Sequence, residues 1–68
     1  MADRVIVNGR EVSVNLPSTL EMFLAAQDLP PRSVVVELNG EAVAASEIAT
    51  RELHPGDRLE VVRVVAGG

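Results

Sequence analysis

The sequence has no cysteine, no lysine, no tryptophan and no tyrosine, and Phe23 is its single aromatic residue. Without thiols there is no disulfide staple, no thiolate metal site and no cysteine nucleophile, so the expected compartment is a reducing cytoplasm. Without aromatics, a core has to be built from valine, leucine, isoleucine and alanine. Long apolar runs are missing too: none approaches the roughly 20 residues that cross a bilayer, and no signal-peptide pattern opens the chain. Positive charge is scarce, six arginines against ten acidic residues giving a net charge of −4. Nucleic acids and anionic membranes reward clustered positive charge, so neither is expected as a partner, whereas a protein with a basic docking surface suits the balance. The 68 residues allow one small domain with a thin core, which leaves little room for the cleft of an enzyme.

Within that domain the elements are well marked. Asp3 to Val7 and Arg10 to Leu16 flank Asn8-Gly9, a dipeptide that accepts the positive φ angles of a two-residue hairpin turn. That turn pairs Val7 with Arg10, Val5 with Val12 and Asp3 with Val14, and sets all four valines on one face. Pro17 ends the second strand. Ser18-Thr19-Leu20-Glu21 reads as a capping box with Ser18 as the cap, opening a helix that buries Leu20, Phe23 and Leu24 and stops between Asp28 and Pro31. Ser33 to Leu38 alternates as a third strand, Asn39-Gly40 turns, and Glu41 to Ala44 returns. Ser46 is placed to cap a single helical turn carrying Ile48. His54-Pro55-Gly56-Asp57 fits a type II turn before a last strand, Arg58 to Val65.

The last strand holds a conflict. Leu59 and Val61 share a face, Arg63 interrupts their run, and Val62 and Val64 point the other way. Two readings are open: a buried edge or bulge that rephases the strand, or an exposed patch of Val62 and Val64, joined by Val35, that a partner covers.

Of five glycines, three sit in turns; Gly67 and Gly68 follow a strand and close no turn. A floppy terminus accounts for them without any function. The chemical reading is that residues without Cβ thread a narrow channel and bring the Gly68 α-carboxylate to a partner's site. A carboxylate resists nucleophilic attack. Joined to AMP as a mixed anhydride it becomes an acyl donor, and sulfur displacing AMP leaves a nucleophilic thiocarboxylate.

Val7-Asn8-Gly9-Arg10-Glu11, the Ser-Thr-Leu helix start, Val36-Glu37-Leu38-Asn39-Gly40-Glu41, the stretch Leu53 to Val62 and the ending Val65-Ala66-Gly67-Gly68 together resemble the ThiS family of sulfur carriers. The resemblance implies an α+β, β-grasp (ubiquitin-like) fold, with a mixed sheet of four to five strands, one helix across one face, and the last strand parallel to the first. Residues 1–65 would be the domain and 66–68 a flexible tail. In function it implies a carrier without catalysis of its own or a bound cofactor. A ThiF-like enzyme would use ATP to adenylate Gly68, a cysteine desulfurase would supply sulfur, and thiazole synthase, ThiG, would consume it. Ala66 and Gly67 would enter the partner site.

Other readings compete. A carrier for molybdopterin or cysteine would use the same scaffold, but the first of these typically has aromatic and proline residues before its glycines, where this chain has Val64-Val65-Ala66. A non-covalent β-grasp interaction module would make the glycines incidental. His54 is expected to be a turn residue, since a lone histidine beside Asp57 lacks the ligand count of a metal site. Asp28, Glu41, Glu47 and Glu52 read as solvated surface charge.

Overall fold

The computed structural model describes residues 3–64; Val65 and the tail residues Ala66, Gly67 and Gly68, with the expected domain boundary, lie outside them. The first hairpin joins β1 (Asp3–Val7) to β2 (Arg10–Val14) in the register the turn dictates, Asp3 opposite Val14 and Val7 opposite Arg10. Asn8 and Gly9 have φ of 50° and 83°, and Asn39 and Gly40 repeat the pattern at 52° and 85°. Two successive left-handed residues match the twist of the flanking strands, which is why an Asn-Gly pair recurs at both hairpins. β2 ends two residues before the expected Leu16, because the chain bends into Pro17, which has no N–H for a ladder. Leu16 still packs against the core.

Helix α1 (Leu20–Ala26) begins one residue later than a Ser18 cap requires. Its cap is Thr19, whose hydroxyl accepts from the Met22 N–H at 3.2 Å. Ser18 is committed elsewhere: its hydroxyl donates to the Thr19 carbonyl, and its own carbonyl accepts from Leu53 N–H at 2.9 Å. Leu20 N–H donates to Arg51 at 2.9 Å, so residues 18–20 are tied to 51–53 before the helix can start. The prolines do not stop α1 either. Asp28 adopts φ of 63°, Asp28 N–H reaches Ala25 at 3.1 Å and Leu29 N–H reaches Leu24 at 2.8 Å. These are the paired bonds of a Schellman ending, with aspartate in the place usually held by glycine.

A short 3-10 turn (Pro31–Ser33) leads into β3 (Val34–Leu38), whose Val34, Val36 and Leu38 are buried while Val35 and Glu37 are exposed. β4 (Glu41–Ala42) is shorter than expected. Helix α2 (Ala45–Ile48) carries Ile48 into the core, but its cap position is Ala44, not Ser46. Only half a capping box forms there, Glu47 accepting from Ala44 N–H at 3.3 Å, since alanine offers no acceptor in return.

β5 (Arg58–Arg63) fills the centre of a five-stranded mixed sheet ordered β2-β1-β5-β3-β4. It runs parallel to β1 and antiparallel to β3. Leu20 and Leu24 of α1 close the core against Val5, Val36 and Leu59, all five essentially inaccessible to water. The helix covers one face and leaves the other open, the β-grasp arrangement of an α+β fold. No helix among the described residues is long and apolar enough to cross a membrane.

Candidate docking face and its central strand

β5 is the element on which the candidate site depends, since it leads toward the glycines. Its ladder with β3 is unbroken, from Val34 opposite Arg63 to Leu38 opposite Leu59. There is therefore no bulge, and the conflict in the sequence resolves into two true faces. Leu59 and Val61 point inward, 1% and 9% exposed; Val62 and Val64 are 59% and 47% exposed on the open side. Arg63 has the parity of the inward row but lies at the rim of the sheet, where it is exposed. Val35, 52% exposed, stands directly opposite Val62. All three candidate docking residues are thus on the surface, with Val35 and Val62 forming a cross-strand pair. The last bond of this strand region, from Val64 N–H to Ser33 at 2.7 Å, keeps the chain on the sheet to the end of the described residues.

Next to the valines lies a feature the alternating pattern did not reveal. Glu37 stands opposite Glu60 in the same ladder and on the same open face. Like charges placed directly across a strand pair are destabilising, and among the described residues neither glutamate forms an ion pair. The ion pairs that do form are Arg4–Glu11 at 3.0 Å and Arg51–Glu47 at 3.7 Å, while the His54 imidazole lies 3.7 Å from the Asp57 carboxylate. Both arginine pairs are exposed to solvent and add little stability. Pairing of β3 with β5, which a sequence pattern leaves undefined, is what sets the two glutamates face to face.

The turn residues are also more than conformational. Asp57 accepts from His54 N–H at 2.7 Å and, through its other oxygen, from the Asn39 side chain at 3.0 Å. It ties the turn before β5 to the hairpin beyond β3. The His54 imidazole remains in solvent at the turn. Asn8 and Asn39 both reach β5 with their carboxamides. In the sequence these asparagines stand out only as turn residues; the usable signal is that each side chain has a donor and an acceptor matching a peptide group. Beside the first turn, a concavity of about 340 Å³ is lined by Ile6, Gly9, Arg58, Leu59 and Glu60. Among the described residues no three histidine or acidic side chains gather as a metal site would need.

A model of the ThiS family matches residues 3–68, the two glycines included. The crystal structure of the thiamine biosynthesis protein ThiS from Geobacter metallireducens superposes with a TM-score of 0.80 at 26% identity, covering 96% of this chain and 99% of that one. A solution structure of a thiamine biosynthesis protein from the same organism gives 0.77 at 26% identity, over 96% and 87% of the two chains. Among curated proteins, a thiazole synthase of Paramagnetospirillum magneticum is 34% identical over 65 residues. That match takes in 96% of this chain but 20% of the relative, so the chain spans about a fifth of the length of the curated protein it resembles.

Proposed function

The chain belongs to the ThiS family, and from that premise we propose that it is a sulfur carrier of thiamine biosynthesis that works through the main-chain carboxylate of Gly68. The observation that carries the proposal is the family match extending through Gly67-Gly68, downstream of a strand whose outward valines are exposed.

In this reading residues 1–65 form the body and 66–68 the tail, with Ala66 and Gly67 slender enough to enter a narrow partner site. A ThiF-like enzyme transfers AMP from ATP to the Gly68 carboxylate with release of pyrophosphate. The terminal sulfur of a persulfide held on a cysteine desulfurase displaces AMP to give an acyl disulfide. A thiol reductant then cleaves the S–S bond, being oxidised to a disulfide and leaving the thiocarboxylate. Thiazole synthase then takes that sulfur for the thiazole ring. A thiazole synthase homologous to this chain over a fraction of its own length supports that pairing. The body supplies recognition and no catalysis of its own, and ATP is bound by the partner. Val35, Val62 and Val64 supply the apolar centre of the docking face, and a cytoplasmic setting follows from where these enzymes would act.

The test is intact mass. Incubation with the adenylating enzyme, ATP and a sulfur source should exchange one oxygen for sulfur, and treatment with thiazole synthase should remove the sulfur. Deleting Gly68, or Gly67→Leu, should abolish the exchange and leave the far-ultraviolet circular dichroism spectrum unchanged. Full competence without Gly68 sinks the carrier reading. A thiocarboxylate that forms but is never consumed by thiazole synthase assigns the carrier to molybdopterin or cysteine instead. No mass change at all leaves the non-covalent interaction module.

A further inference from the structure

β1 pairs with β5 at only two positions, Ile6 with Arg58 and Val7 with Leu59, before the chain turns away at Asn8. The contact does not end there. Asn8 N–H donates to the Leu59 carbonyl at 2.9 Å, the Asn8 Oδ1 accepts from Val61 N–H at 2.9 Å, and its Nδ2 donates to the Val61 carbonyl at 3.1 Å. A carboxamide presents the same donor and acceptor as a peptide group, so one side chain stands in for the next residue of β1. On the opposite flank Asn39 brackets Arg58 at the start of β5: its side-chain Oδ1 accepts from Arg58 N–H at 3.0 Å and its backbone N–H donates to the Arg58 carbonyl at 2.8 Å. Glycine would satisfy the φ of either turn position, so the turn alone does not demand asparagine.

We propose that Asn8, assisted by Asn39, is a positioning residue of the carrier reaction: its carboxamide fixes Val61, so that the outer half of β5 presents the docking valines at one place on the partner. The proposal rests on the carrier reading above and assigns that site a determinant far from the glycines. Loss of both carboxamide bonds should raise the frequency with which the outer half of β5 opens by about 10- to 100-fold. A partner that binds only the closed strand then sees its apparent affinity fall with the closed fraction, while the chemical step, once reached, is unaltered.

Two variants test this. Asn8→Gly keeps the left-handed turn and deletes only the carboxamide. Asn8→Asp keeps an acceptor for Val61 N–H but turns an oxygen toward the Val61 carbonyl. Amide exchange by NMR would be followed at Val61 and at Leu24 in α1, alongside ATP–pyrophosphate exchange by the adenylating enzyme with the carrier as varied substrate. Val61 should exchange about 10- to 100-fold faster in both variants with Leu24 unchanged, and KM for the carrier should rise at constant kcat, reaching about twofold when a parent strand open about 1% of the time opens 100-fold more often. Unchanged exchange at Val61, faster exchange without a rise in KM, a fall in kcat, or equal acceleration at Leu24 would each overturn the positioning role. A wild-type chain that supports no pyrophosphate exchange overturns the carrier reading itself and this proposal with it; a charged wild type with an equally good Asn8→Gly variant removes the positioning role alone.

Discussion

Leu59→Ala and Val62→Asp, three residues apart on β5, should have opposite consequences. Leu59 is 1% exposed and packs in the inaccessible centre of the core. Truncating such a leucine costs about 2–5 kcal/mol. A domain of 68 residues holding about 0.05–0.15 kcal/mol per residue has roughly 3–10 kcal/mol in total, so this one change removes anywhere from about a fifth to all of it. Val62, 59% exposed, surrenders little burial. Its replacement by aspartate incurs a strand-propensity cost of up to about 1 kcal/mol and a few tenths of a kcal/mol from adding charge beside Glu60 and Glu37. The second variant should therefore melt within about 10 °C of the parent, and Val62→Thr, which keeps the β-branch, closer still. Urea unfolding is best followed by circular dichroism, since the chain has no tryptophan or tyrosine. In the charging reaction the order reverses: Val62→Asp should raise KM for the adenylating enzyme, whereas whatever folded Leu59→Ala remains should be charged normally. If Val62→Asp destabilises as much as Leu59→Ala, the outward row is core and the two-faced description of β5 is wrong. If it folds and is charged with the parent KM, the valines have no docking role.

Two further variants bear on the body. Thr19→Ala should cost about 1 kcal/mol by uncapping the Met22 N–H, and Ser18→Ala, which leaves that cap in place, should cost less; the reverse order in urea titrations would return the cap to Ser18. Glu60→Lys should stabilise by about 0.2–1 kcal/mol by turning a like-charge pair with Glu37 into an opposite-charge one. That gain should shrink as salt is added, and a loss of stability at low ionic strength would refute the reading.

What could be read in the sequence was local and periodic. The Asn8-Gly9 turn and the spacing of Val5, Val7, Val12 and Val14 determine one register between them, because a slip of one residue would expose every valine. Alternation likewise set Val34, Val36 and Leu38 on one face against Val35 and Glu37, and the first three are the buried ones. What could not be read came from long-range pairing. The cap moved from Ser18 to Thr19 because Ser18 and Leu20 bond to residues 51–53, more than 30 positions away. Glu37 and Glu60 are each unremarkable surface acids until β3 and β5 are laid side by side. Of the candidate site, the exposure of Val62 was one of two open readings, and the unbroken ladder with β3 decided it.

The same argument bears on why this face is built as it is. Sequences that fold well agree with themselves at every level, and departures from that agreement concentrate where function demands them. Here two departures fall on the same pair of strands and the same face: a valine pair left in water and a glutamate pair left opposed. Neither helps the isolated domain, since threonine at position 62 would keep the strand without the apolar surface and lysine at 60 would relieve the repulsion. In the docking reading proposed above, a partner with an apolar centre and a basic rim would resolve both at once, covering Val35 and Val62 and placing its cations between Glu37 and Glu60. Glu60→Lys should therefore separate two quantities that usually move together, increasing the stability of the free carrier and weakening its charging, with the weakening reduced at high salt. A variant that gained stability and was charged as well as the parent would detach the glutamates from docking and leave the valines to act alone.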